Sequence, residues 1–331
     1  MIRSPDHKDL AVFTIVQEEP EFIHPWINHF KKHVADPKDI HVLVHPPSNA
    51  VQQSGSDTNR AWTLAKYLMR THHSVTALPV HHASAFDHLW LAETIASFQA
   101  FLLQSYEWVL FAEIDEFVLP MSWGSENPST LLEFVRSLGP TPPPAVRAAG
   151  FEIIQQKDEP PVPTDLYGDG RNVCLTVGEL IADRKWWYRS RQYSKTILAN
   201  KPLRWEVGFH RVEGFAREIS LAEPSHALTL VHLHRADREL ALRRLRRSRS
   251  RKWSQYDVQN HLGFQNRWDD KTFYTFWNSD ADTNQPLEPG RLSLIPPCLY
   301  AAFRRVEDTK TIGREQPPGA YSEERRRDSV R

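Results

Sequence analysis

The sequence predicts an α/β protein with one central sheet, mixed but mostly parallel, flanked by helices, and with a smaller aromatic and basic subdomain in its carboxyl-terminal half. Three observations predict it. Strand-like and helix-like periodicities alternate through the first 120 residues. The strand-like segments are short apolar, β-branched runs, as buried strands are. After Pro120 the texture changes, and prolines, aromatics and arginines gather.

Residues 11–17, AVFTIVQ, read as a buried strand, and residues 20–34 as an amphipathic helix with Phe22, Trp26 and Phe30 four apart. DIHVLVH (39–45) reads as a second strand and 58–73 as a helix. SVTALPV (74–80) reads as a third strand, 86–106 as a long helix, and 107–119 holds a fourth strand. Strands alternating with helices imply βαβ units and right-handed crossovers. Beyond Pro120, 129–138 reads as a short helix, GPTPPP (139–144) as a rigid break and 145–156 as another strand. Residues 157–172 are too rich in Pro and Gly for regular structure. Segment 183–214 is dense in aromatics and bases, 229–235 reads as a strand and 239–253 as a basic helix. The expected organisation is a polar tail over 1–10, a βαβ half over 11–120, a second half with the carboxyl-terminal helices over 121–305, and a disordered charged tail over 306–331.

Charge is balanced, 41 Lys and Arg against 41 Asp and Glu, so a global bias toward nucleic acid is absent. Cys174 and Cys298 form no CxxC and predict two reduced thiols. The first residues, MIRSPDHKDL, lack the apolar centre of a signal peptide, and no apolar run nears the roughly 20 residues that span a bilayer. The expectation is a cytoplasmic protein.

FAEIDEFVLP (111–120) places Glu113, Asp115 and Glu116 at the end of the most apolar segment. On a strand, Glu113 and Asp115 would share a face and Glu116 would oppose them. Two carboxylates together at the carboxyl end of a strand, where α/β sheets hold their ligands, need positive charge. A Mg²⁺ or Mn²⁺ ion supplies it; so would neighbouring Arg or Lys.

WVLFAEIDEFVLP resembles the metal-binding strand end of GT-A glycosyltransferases, in the form found in the group of glycosyltransferase families 2 and 92. Glu113 stands where that pattern has its first Asp, while Asp115, Glu116 and Phe117 match. TIVQEEPEFIHPWINHF is similar to the group's opening strand and helix, with Glu18 matching its Glu and Gln17 replacing Asn. KTILANKPLRWEVGFHRV and TLVHLHR resemble two later elements, so the likeness covers about residues 10–245. It departs at the second strand, where His45 and Ser48 stand near the family's usual Asp.

The resemblance implies a GT-A-like single domain and an inverting, metal-dependent hexosyltransferase-type enzyme. Residues 11–120 would bind a nucleotide-sugar donor, with Thr14, Gln17, Glu18, His45, Arg191 and Lys195 at the donor. Glu113 and Asp115 would hold Mn²⁺ or Mg²⁺ with His210 as third ligand, and His232 and His234 as rivals. Asp183 or Glu206 would be the general base. Trp186, Trp187 and Tyr188 are either an acceptor platform or core. The acceptor would be a saccharide or a glycolipid, and residues 243–252 a basic face for peripheral contact at the inner face of the membrane. Two rivals remain at this point. One is a metal-dependent hydrolase using His81, His82, His232 and His234 with Asp115. The other is a non-catalytic nucleotide-binding protein on the same scaffold.

Overall fold

A computed structural model of the chain describes residues 7–17, 19–45, 56–72, 75–80, 85–120, 130–162, 176–190, 192–213, 228–281 and 292–304. In the first half, β1 (Lys8–Val16), β2 (Ile40–Val44), β3 (Thr76–Pro79) and β4 (Tyr106–Phe111) pair in parallel in the order β3-β2-β1-β4. Between them run α1 (Pro20–Lys31), α2 (Ser56–Thr71) and α3 (His88–Leu102).

Alternation along β1 sorts the helices onto two faces. Leu10, Val12 and Val16 join the core that holds α1 and α2, while Ala11 and Phe13 join the one that holds α3. Phe22, Trp26 and Phe30 of α1 are wholly buried, each side chain contributing about 1.5–3 kcal/mol. β1 starts at Lys8, inside the stretch expected as a polar tail. The polar residues there are paired: Lys8 Nζ lies 2.6 Å from Asp39 Oδ1, which also accepts from the Tyr106 hydroxyl at 2.9 Å.

The second half extends the sheet with β5 (Glu116–Pro120), β6 (Ala145–Ile154), β7 (Trp186–Arg189), β8 (Thr196–Ala199), β9 (Leu228–His232) and β10 (Leu292–Leu294). β8 joins β4 to β6, antiparallel to both, and β9 lies between β5 and β6. The helices are α4 (Leu131–Ser137), α5 (Val177–Ile181), α6 (Arg238–Ser250), α7 (Gln255–Gln259), α8 (Asp270–Ala281) and α9 (Pro297–Arg304). α6 and α8 share a small core of Ala241, Leu242, Leu245, Phe273 and Trp277.

The mixed α/β sheet flanked by helices is therefore as the alternation predicts. The parallel part is the first half, and the second half is mainly antiparallel. One local expectation fails. Residues 107–119 are not a single strand: β4 ends at Phe111, and a turn in which Glu116 N donates to Glu113 O (3.0 Å) separates it from β5. Among the described residues no helix is long and apolar enough to cross a membrane. Cys298 on α9 is a free thiol, and Cys174 and the 306–331 tail lie outside the described residues.

Candidate active site

From β1 the chain winds outward through β2 and β3, then returns to place β4 on the other side of β1. Strand order reverses there, and the crevice outside the carboxyl ends at such a reversal is where open α/β sheets bind ligands. A cavity of about 1130 Å³ occupies that place. Gln17 after β1, His45 after β2, and Glu113 and Asp115 after β4 all line it.

The turn at 112–115 overrides strand alternation, so the acids are sorted differently from the expectation. Lys195 Nζ sits between Glu113 Oε2 (2.6 Å) and Glu116 Oε1 (2.7 Å). Asp115 points elsewhere. Its Oδ2 accepts from Arg244 Nη1 at 2.8 Å and lies 3.4 Å from His232 Nε2. Burial alone would raise the Asp115 carboxyl, but Arg244 and then His232 outweigh it and hold it well below the ordinary range. Glu116 goes the other way. Its burial prevails over the Lys195 charge and pushes it up to about 7, whereas at Glu113 burial is outweighed by Lys195, which draws that carboxyl below its ordinary range.

Register supplies the floor. Glu116 on β5 faces His232 on β9, which faces Glu152 on β6, which faces Tyr188 on β7. Cross-strand partners share a face, so these four form one row. His232 Nδ1 donates to Glu152 Oε2 at 2.7 Å, and the ring stacks on Tyr193 with centroids 3.8 Å apart. Burial would lower the His232 imidazole, but Glu152 and then Asp115 prevail and lift it to about 10. A raised basic group adds stability fully below its unfolded value of about 6.5, and loses it as pH rises through its folded value. The stability advantage of the native protein over His232→Gln is thus expected to shrink from about pH 6.5 and vanish near 10. Urea unfolding across that range checks it; a gap that ignores pH would contradict the assignment.

The other predicted residues fall as follows. Glu206 and His210 line the cavity, on a turn where Gly208 (φ 92°) and Phe209 (φ 60°) adopt left-handed backbone. That conformation suits Gly208 and is rare for a residue like Phe209, which the aromatic packing against Phe111 holds in place. His210 Nδ1 donates to the Gln192 carbonyl at 2.9 Å. Thr14 is buried within β1 and Lys195 beneath the acids, and neither lines the cavity. Asp183 is exposed away from it. Glu18, Ser48, His81, His82 and Arg191 lie outside the described residues. Of the possible platform, Trp187 is core, stacked on Phe151 at 4.1 Å, and Tyr188 alone of the three faces the cavity.

The exposed aromatics that line the cavity stand instead on the carboxyl-terminal subdomain. Trp268 packs between Phe264 (5.8 Å) and Phe276 (4.9 Å) along one cavity wall, with Phe264 54% exposed. The basic helix, expected as a membrane-facing surface, is α6, and most of its arginines are matched to carboxylates. Arg244 Nε donates to Glu19 Oε2 at 2.7 Å, Arg247 forks onto Glu21 at 2.5 and 2.6 Å, and Arg246 and Arg249 share Asp270. Arg244, Glu19 and Tyr193 are the site residues that the sequence reading passed over. The signal for Arg244 was the unusual density of arginine on a helix that also carries a buried apolar face.

Among the described residues no group of three or more His, Cys, Asp or Glu stands ready to hold a metal ion. As placed, the expected ligands do not fit one. Asp115 is engaged by Arg244 and Glu113 by Lys195; His210, whose Nδ1 donates to a carbonyl, keeps Nε2 as a ligand atom, but one imidazole nitrogen does not hold an ion by itself. Of the hydrolase set, His81 and His82 lie outside the described residues, and both His232 nitrogens face carboxylates.

Fold and site together define an α/β protein with a ligand cavity at the strand-order reversal, lined by paired acids, arginines and aromatics. No family model and no curated protein matches the chain. Similar solved structures include TarS of S. aureus residues 1–349 with UDP (9% identity, 49% of this chain and 40% of that one, TM-score 0.23). A second TarS structure gives 9% identity over 84% of this chain and 49% of that one, TM-score 0.27. The mannosyltransferase PcManGT of Pyrobaculum calidifontis, with GDP-Man and Mn²⁺, gives 13% identity over 94% and 79%, TM-score 0.33. The chain spans under half the length of the two TarS chains.

Proposed function

We propose that the chain is a glycosyltransferase that moves a sugar from a nucleotide-sugar donor to a saccharide acceptor. One observation carries the reading: the acidic turn after β4 meets Arg244 at the strand-order reversal, on the wall of a cavity large enough for a donor and an acceptor together. The motif resemblance to the GT-A group points the same way.

On this reading the nucleoside lies over the carboxyl ends of β1 and β2, beside Gln17 and His45. The diphosphate meets Arg244, whose planar fork suits phosphate oxygens. The acceptor ring lies on Trp268, where an aromatic face covers the apolar side of a sugar. In an inverting step the acceptor hydroxyl oxygen attacks the anomeric carbon. The bond to the diphosphate breaks, its electron pair stays on the phosphate oxygen, and a carboxylate takes the hydroxyl proton. Glu206 lines the cavity and is preferred over Asp183 for that role. A divalent ion, if one were held here, would offset charge on the departing diphosphate; on this reading Arg244 does that work.

Thermal unfolding with UDP, GDP, UDP-GlcNAc and GDP-mannose tests the reading. A true donor at a hundredfold excess over its Kd adds about 2.7 kcal/mol of apparent stability. A saccharide acceptor panel then reads nucleotide release. With the working pair, Trp268→Ala should raise the acceptor KM about tenfold, since an aromatic contact is worth about 0.5–1.5 kcal/mol, and leave donor affinity alone. No stabilisation by any nucleotide and no release with any acceptor would end the proposal.

A further inference from the structure

We propose that Arg244 is a resident cation occupying the position a divalent ion would take at this strand end, so that the centre works without metal. The phosphate it serves rests on the glycosyltransferase reading; the geometry does not. Arg244 Nη1 lies 2.8 Å from Asp115 Oδ2 and 3.2 Å from His234 Nδ1. Those two acceptor atoms are themselves 3.8 Å apart, a separation that two ligands of one ion keep when each is roughly 2.0–2.5 Å from it. A carboxylate and an imidazole on one side of an open cavity are a donor pair that suits Mn²⁺. The guanidinium has taken both.

The arginine is anchored rather than swinging. Its Nε holds Glu19 at 2.7 Å, its plane lies over the Phe22 ring at 4.8 Å, and its side chain is only 11% exposed. Glu19 also has Arg251 at 3.6 Å and Arg247 at 3.8 Å, so the carboxylate that positions Arg244 is itself fixed. A divalent ion entering between Asp115 and His234 would have to displace a cation held from both sides. A guanidinium carries five N–H donors, so one that holds two carboxylates still has another to offer a phosphate oxygen.

Manganese titration followed by electron paramagnetic resonance decides the matter without any nucleotide. The native chain is expected to show no stoichiometric Mn²⁺ site. Arg244→Ala should uncover one, at least about tenfold tighter than any binding by the native chain, and the added change Asp115→Asn should remove it. A native site that Asp115→Asn abolishes would overturn the proposal. So would an Arg244→Ala variant that folds, by circular dichroism, yet gains no site. The native titration needs no variant to fold, and Arg244→Gln, closer in size, serves if the alanine variant does not. A failed nucleotide screen would strike the function proposed above and leave this result standing.

Discussion

Replacing Asp115 with alanine is expected to abolish donor binding and transfer and to lower stability by about 3–5 kcal/mol, the usual cost of taking one partner from a buried ion pair. Asp115 is 6% exposed, and its Oδ2 faces both Arg244 and His232. Without it, Arg244 keeps Glu19 and His232 keeps Glu152, but two cations are left facing each other across the vacated carboxylate. Asp115→Asn separates the two effects. It preserves volume and the turn, in which the Asp115 carbonyl accepts from Leu233 N at 3.0 Å. It should therefore lose less stability while losing at least about a thousandfold in turnover, some 4 kcal/mol of transition-state free energy. Urea unfolding and steady-state rates well below the melting temperature measure both. An alanine variant with native stability and native rate would remove Asp115 from the site.

Gly150→Ala is the second large effect, and it acts through space rather than charge. A Cβ at Gly150 on β6 would run into the backbone of Tyr193 and Ser194. Backbone cannot turn aside as a flexible side chain does. The segment is tied to β6 by Gly150 N donating to Ser194 Oγ (3.0 Å), Ser190 N donating to Gly150 O (2.9 Å) and Ala148 N donating to Lys195 O (2.9 Å). Pushing it off would carry Tyr193 away from His232 and Lys195 from between Glu113 and Glu116, leaving two acids without their cation. A loss above about 4 kcal/mol is expected, placing the variant among exceptional single substitutions. Yield and urea midpoint of the purified variant measure it; a midpoint matching the native protein would mean the segment can shift freely.

Much of the scaffold was legible because its signals are local. Phe22, Trp26 and Phe30 recur at helical spacing, and the runs around Val12, Val42 and Val109 are apolar enough to be buried on both faces. The acids after β4 were legible as a charge cluster in an apolar segment. Their orientation was not, because period-two reasoning holds only while the strand continues, and β4 stops at Phe111. Trp187 shows the same limit: its neighbours in sequence leave platform and core equally open, and only Phe151, 36 positions earlier, makes it core by stacking on it.

By itself, then, the sequence determined the alternation of strands and helices, the apolar faces, and that unusual negative charge sits where an α/β sheet binds ligands. Only the tertiary structure decided what balances that charge. Arg244 lies 129 positions from Asp115 and 225 from Glu19. Hydrophobic period is a property of neighbours along the chain, whereas a buried charge must find its partner wherever the fold brings one, because water is no longer there to solvate it.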